Sequence, residues 1–216
     1  MPSPLQANAA LRFVTDTADH VFTMLHDDGL YRHAKFAKPG TNIYRFDLVT
    51  WPGHLAVAGD MGEYVFKREP DMVPFFAGAC PIDARYWAEK EARGVRGLRR
   101  FDPERFAAAI RDDALTQLRD HSDFCTTLLG VAWEEAERDL IERIEWDIIS
   151  PSDGPSADIA ISDALSFEHD LGCERGCTIT FPEAYDLPMY DFDYRFYWVC
   201  EAIRFGCNTV IGHARP

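Results

Sequence analysis

Over residues 30–66 aromatic and β-branched residues alternate with polar ones, and three turn signals interrupt them: Lys38-Pro39-Gly40-Thr41, Trp51-Pro52-Gly53 and Gly59-Asp60-Met61-Gly62. A period of two belongs to strands with one packed and one wet face, and Pro-Gly or Gly-Asp steps reverse the chain. The segment therefore predicts a three- or four-stranded antiparallel meander. Within it Tyr44, Phe46 and Leu48 share one face while Arg45 and Asp47 take the other, and Leu55 and Val57 oppose His54.

Around the meander the spacing becomes helical. Leu11, Val14, Ala18 and Phe22 predict a helix over 7–25, and shorter helices are expected over 71–76 and 82–93. Asp102-Pro103 is a start signal, because Asp caps a helix and proline fits its first turn; Phe106, Ile110, Ala114 and Leu118 follow at four-residue steps. A further helix over 131–149 carries the apolar stripe Trp133, Ala136, Leu140, Ile141, Ile144 and Ile148. Its polar face predicts the ion pairs Glu134 with Arg138 and Asp139 with Arg143. Residues 158–192 give weak strand signals, best at 178–181. The nearly apolar run from Tyr194 to Phe205, after a possible cap at Asp193, predicts a buried helix, although its aromatic start also suits a strand. The expected fold class is α+β, with the meander packed against several helices. The 47% hydrophobic content over 216 residues is enough for one sizeable core, so a single domain, 1–216, is expected, with a possible sub-boundary in the loop 150–157.

The net charge of −14 is unevenly spread. Residues 1–111 carry 14 acidic and 15 basic side chains, net +1, whereas residues 112–201 carry 22 acidic against 5 basic, net −17; the tail adds Arg204 and Arg215. The acidic segment contains no lysine. Such a field repels nucleic acid, whose binding depends on neutralising phosphates, and attracts basic protein surfaces. Direct nucleic-acid binding by this half is therefore disfavoured. An acidic surface also keeps a protein soluble, which needs no partner. The opposite sign gathers at Arg93, Arg96, Arg99, Arg100 and Arg105, which either grip an anion or pair with the acidic half.

Six dispersed cysteines predict free thiols. Cys173 and Cys177, with His169 upstream, have a spacing that zinc allows, but a second ligand pair is missing, so two ordinary thiols flanking a turn are expected. One polar cluster has the residue types of a catalytic or metal site. His26, Asp28 and His33 lie in His26-Asp27-Asp28-Gly29-Leu30-Tyr31-Arg32-His33, and His54 follows the Trp51-Pro52-Gly53 turn. Imidazole titrates near neutral pH, and both it and carboxylate donate lone pairs. Asp47 and Asp60 lie near enough in the predicted hairpins to join them. No phosphate-binding loop, dinucleotide fingerprint, nucleophile elbow or His-Glu-x-x-His helix is present.

His26 through His33, Phe46 through Leu55, Gly59-Asp60-Met61-Gly62, Tyr86-Trp87-Ala88-Glu89-Lys90 and the closing Asp193 through Trp198 with Ala202-Ile203 carry a resemblance. As strings they resemble a group of uncharacterised proteins of bacteriophages, prophages and actinobacteria, over roughly residues 20–92 and 190–206. The resemblance implies a phage-type accessory protein in the cytoplasm of a bacterial host. It supplies no activity, cofactor or catalytic residue.

Charge and resemblance together predict a binding protein: an acidic, nucleic-acid-mimicking inhibitor of a basic host defence complex such as CRISPR or restriction machinery. Its contact residues are expected to include Glu134, Glu135, Glu142 and Glu145, with no metal, cofactor or membrane. A metal-assisted or acid–base enzyme centred on His26, Asp28, His33 and His54 is the second expectation, and a virion structural or assembly protein the third.

Overall fold

The computed structural model describes residues 3–124, 133–150, 156–172 and 176–214. The fold is α+β, with a five-stranded antiparallel sheet near the N-terminus followed by several helices. The chain divides into two compact units, Met1–Arg99 with Phe192–Pro216, and Arg100–Asp191. The loop 150–157, read as a possible boundary, lies inside the second unit, and residues 151–155 of it are outside the described residues. No helix among the described residues is long and apolar enough to cross a membrane.

Unit 1 begins with helix α1 (Pro4–Asp16), where Ser3 accepts from the Gln6 backbone N–H and Pro4 occupies the first turn. The helix stops nine residues short of the predicted end. Thr17 closes it by donating from Oγ1 to the Phe13 carbonyl at 2.7 Å. Leu11 and Val14, which suggested the longer helix, are exposed, and the buried pair is Ala9 and Phe13. Residues 21–25 instead enter strand β1 (Val21–Asp28), which adds a strand to the predicted meander. It pairs with β2 (Tyr31–Ala37), followed in order by β3 (Phe46–Trp51), β4 (His54–Gly59) and β5 (Gly62–Lys67). The Trp51-Pro52-Gly53-His54 turn works because Gly53 sits at φ +79°, a conformation glycine adopts without strain. The far edge of β5 is covered by residues 90–92, through Lys67 N–H to Lys90 O and Ala92 N–H to Val65 O.

One sheet face is packed. Ala34, Phe36, Phe46, Leu48, Leu55, Val57, Tyr64 and Phe66 are buried in one cluster with Trp198, Val199, Ile203 and Cys207 of the closing helix α8 (Tyr194–His213). Gly206 permits the close approach: a Cβ there would stand 3.0 Å from Leu48 Cδ1 and 3.4 Å from the Phe36 ring. Asp193 caps α8 through the Arg195 N–H, as its sequence suggested. Between the sheet and α8 the chain forms three short helices, α2 (Met72–Phe76), α3 (Ala84–Ala88) and α4 (Gly94–Leu98). The 82–93 prediction thus shrinks to a five-residue helix. Asp71 caps α2 and receives a two-pronged hydrogen bond from Arg32, at 2.9 and 3.1 Å.

The chain leaves unit 1 through β6 (Arg99–Phe101). Unit 2 is built on α5 (Pro103–Phe124), with Asp102 accepting from the Arg105 N–H as the start signal predicted. Next come α6 (Trp133–Ile144), a π turn (Glu145–Ile149) and α7 (Ala157–Ser166). The predicted helix 131–149 therefore ends in wider turns, and Val131 and Ala132 lie outside the described residues. Helix α7 stands in the stretch of weak strand signals: Ser156 caps it, and Ala160 and Ala164 bury one stripe. Strands β7 (Glu168–Asp170) and β8 (Thr178–Thr180) pair, and β9 (Tyr190–Phe192) pairs with β6. The core joins Phe106, Ile110, Ala114 and Leu118 to Leu140, Ile144, Ile148, Phe167 and Ile179. Gln117 ties α5 to β8 by donating to the Thr180 carbonyl at 2.9 Å.

Candidate functional site

The histidine cluster forms only in part. Cross-strand register sets His26 directly opposite His33, on the sheet face away from the core, and alternation puts Asp28 on that face two residues from His26. His33 Nε2 stands 3.9 Å from Asp47 Oδ1, too far for a hydrogen bond, and Asp47 is engaged by Arg45. The other Asp47 neighbour across β2 and β3 is Lys35. His54 shares this face but lies two strands away and offset along the strand, roughly 12 Å from His33 by strand spacing and rise. Its ring stacks on Trp51 at 4.9 Å, and its Nδ1 lies 3.0 Å from the Pro52 carbonyl, which fixes the ring by two local contacts. The four-residue site expected from sequence is thus divided, with His26, Asp28 and His33 near one another and His54 apart. Asp60 is also elsewhere, accepting from the Tyr44 N–H. Among the described residues no group of three or more His, Cys, Asp or Glu is arranged to hold a metal ion. Cys173 lies outside them; Cys177 is half-buried and His169 faces Asp139 at 3.7 Å.

The acidic segment read from the sequence, residues 112–201, falls largely within unit 2. Unit 2, residues 100–191, holds 22 acidic and 7 basic side chains, net −15, and unit 1 holds the remaining 14 acidic and 15 basic, net +1. All four lysines, Lys35, Lys38, Lys67 and Lys90, are in unit 1. On α6, Leu140 and Ile144 face the core, so helical geometry turns Glu135, Asp139 and Glu142 outward; Glu134, Glu135 and Glu142 are exposed. Glu145 differs from these three. It accepts from Arg111 Nε at 2.6 Å and is a structural partner of α5. The predicted pairs of Glu134 with Arg138 and Asp139 with Arg143 do not form: Arg143 turns to Asp147 at 2.6 Å, and Asp139 to His169.

Sequence reasoning passed over Trp146. Its side chain is 80% exposed beside this acidic surface, in the π turn, where the i to i+5 bond from Ser150 N–H to Glu145 O widens the backbone. The signal was its position off the apolar stripe. Buried tryptophans stabilise a fold, whereas an exposed one leaves a large apolar surface in water, and π turns concentrate at functional sites. A recess of about 330 Å³ lies elsewhere in unit 2, lined by Asp113, Gln117, Phe181, Glu183 and Asp186.

The arginine group is partly committed. Arg93 reaches the buried Glu91 at 3.1 Å and lies over the Tyr64 ring, and Arg105 pairs with Asp191 at 3.5 Å. Comparison of the chain with family models, curated proteins and solved structures finds no match.

Proposed function

We propose that this protein acts by binding, presenting the acidic face of unit 2 to a basic protein surface of the kind that otherwise holds nucleic acid. The observation that carries the reading is the concentration of a net −15 in one lysine-free unit, with Glu134, Glu135 and Glu142 exposed on α6 and Trp146 exposed in the turn that follows it. Carboxylates supply long-range attraction and partner choice. Tryptophan supplies the desolvated contact that interfaces favour as an anchor. The acid-lined recess suits an arginine or lysine side chain. With the resemblance to phage and prophage proteins, the partner class becomes a host defence complex, and the outcome of binding its nucleic-acid surface is inhibition.

A pull-down with tagged protein from bacterial lysate, at low and high salt and with added duplex DNA, tests the reading. A basic nucleic-acid-binding complex that is released by salt and displaced by DNA supports it. Retained proteins that ignore both treatments count against it.

A further inference from the structure

We propose that the open face of β1 and β2, closed on one side by the 38–42 loop, is a binding site for a small amphipathic anion: an organic monocarboxylate with a short apolar body. The cleft lies in unit 1 and is an open recess of about 500 Å³, within the range of small-molecule sites. Two adjacent cross-strand pairs, Val21 with Ala37 and Thr23 with Lys35, make its floor, on the face opposite the buried Ala34 and Phe36. The 38–42 loop and Leu25 complete the lining.

Both halves of the ligand follow from the lining. No acidic residue contributes to it. Lys38 is neutralised by Asp19 at 2.8 Å, but Lys35 has no ion pair among the described residues. The carboxylate opposite Lys35 on the next strand, Asp47, pairs with Arg45 through Oδ2, while its Oδ1 accepts no hydrogen bond among the described residues. The Lys35 ammonium, without an ion pair of its own, is left to match a single negative charge in the cleft. Thr23 and Asn42 add hydrogen-bond donors for the second oxygen of a carboxylate. The apolar part of the surface is Val21, Leu25, Ala37 and Pro39, and Val21 and Leu25 are 54% and 53% exposed. Edge strands ordinarily carry charge at such positions to deter pairing. Here they offer an apolar wall that a short hydrocarbon chain covers.

The test is a titration of the full chain with octanoate, followed by backbone amide NMR shifts, with octylammonium and inorganic phosphate as comparators. Expected are saturable shifts over residues 21–25 and 35–42 for octanoate alone. Lys35→Gln should weaken that binding by about tenfold, the loss of one charge-assisted hydrogen bond. Ala37→Phe, which fills the floor from the solvent side, should abolish it, and the amide spectrum of each variant reports that the fold is kept. Octylammonium binding equally well would reduce the cleft to an apolar patch, and phosphate binding equally well would reduce it to a charge. Either result, an unchanged affinity in Lys35→Gln, or no saturation by about 10 mM octanoate, overturns the assignment.

Discussion

Arg111 of α5 donates from Nε to Glu145 Oε1 at 2.6 Å, so one carboxylate of the acidic helix region holds unit 2 together while its neighbours face solvent. Reversing charge at the two kinds of position should have different effects. Glu145→Lys sets a cation against Arg111 and should lower stability by about 1–2 kcal/mol, within the range for a half-exposed ion pair made repulsive. Glu135→Lys and Glu142→Lys should change stability by no more than about 0.5 kcal/mol, as exposed positions do. Denaturant midpoints of the three variants check this.

Asp71 gives a pH dependence whose sign can be worked out. Partial burial works to raise its pKa, but hydrogen bonds from Arg32 and the Val73 N–H outweigh that and hold the carboxyl below its ordinary value of 3.8. A depressed carboxyl stabilises the fold above its unfolded pKa, and that contribution is lost as pH falls through the folded one. Asp71→Asn keeps a capping side chain and removes the charge. It should cost about 1 kcal/mol at pH 7, and the difference from the unaltered protein should shrink as pH falls below the ordinary carboxyl value of 3.8 and through the folded one. Urea melts across that acid range measure it.

Two glycines should respond oppositely to alanine. At Gly59 a Cβ would lie 2.1 Å from the Arg45 carbonyl oxygen and 2.8 Å from Phe46 Cα, both backbone atoms that cannot move aside. Gly59→Ala should cost about 2–3 kcal/mol or more. Gly212, exposed in α8 with nothing within 4 Å of its would-be Cβ, should gain up to about 1 kcal/mol from the same change. Thermal unfolding of the two variants should move in opposite directions.

Thiol reactivity should separate the cysteines by position. Burial pushes the Cys200 and Cys207 thiols above their ordinary range, and Cys80 is exposed. Because the thiolate is the reactive form, an aromatic disulfide reagent should label Cys80 rapidly in the folded protein and Cys200 and Cys207 only on unfolding. Mass spectrometry of the labelled peptides identifies each site.

What the sequence made legible depended on whether the signal was local. The Pro52-Gly53 and Gly59 to Gly62 turns define hairpins within a few residues, and the caps at Asp102 and Asp193 announce their helices. Strand β1 was hidden because Leu11, Val14, Ala18 and Phe22 keep helical spacing across a turn, and only pairing of Phe22 with Phe36 and Met24 with Ala34 makes 21–25 a strand. Helix α7 was hidden because Ile159 and Ile161 alternate like a strand, while the residues it buries are the small Ala160 and Ala164. At the candidate sites the acidic charge was visible in composition. The exposure of Trp146 was not, since it follows from a π turn, and neither was the separation of His54 from His33, which requires the register across three strands.

The most direct test of the binding reading compares two charge reversals of equal size on unit 2. Glu135→Lys with Glu142→Lys alters the face around Trp146, and Asp158→Lys with Glu168→Lys alters exposed acids on other elements. Each is measured by the amount of the basic complex retained in the lysate pull-down at low salt. The account predicts that the α6 pair lowers retention by at least about tenfold while the control pair stays within about threefold of the unaltered protein. Equal loss from both pairs, or retention unchanged by the α6 pair, would contradict it.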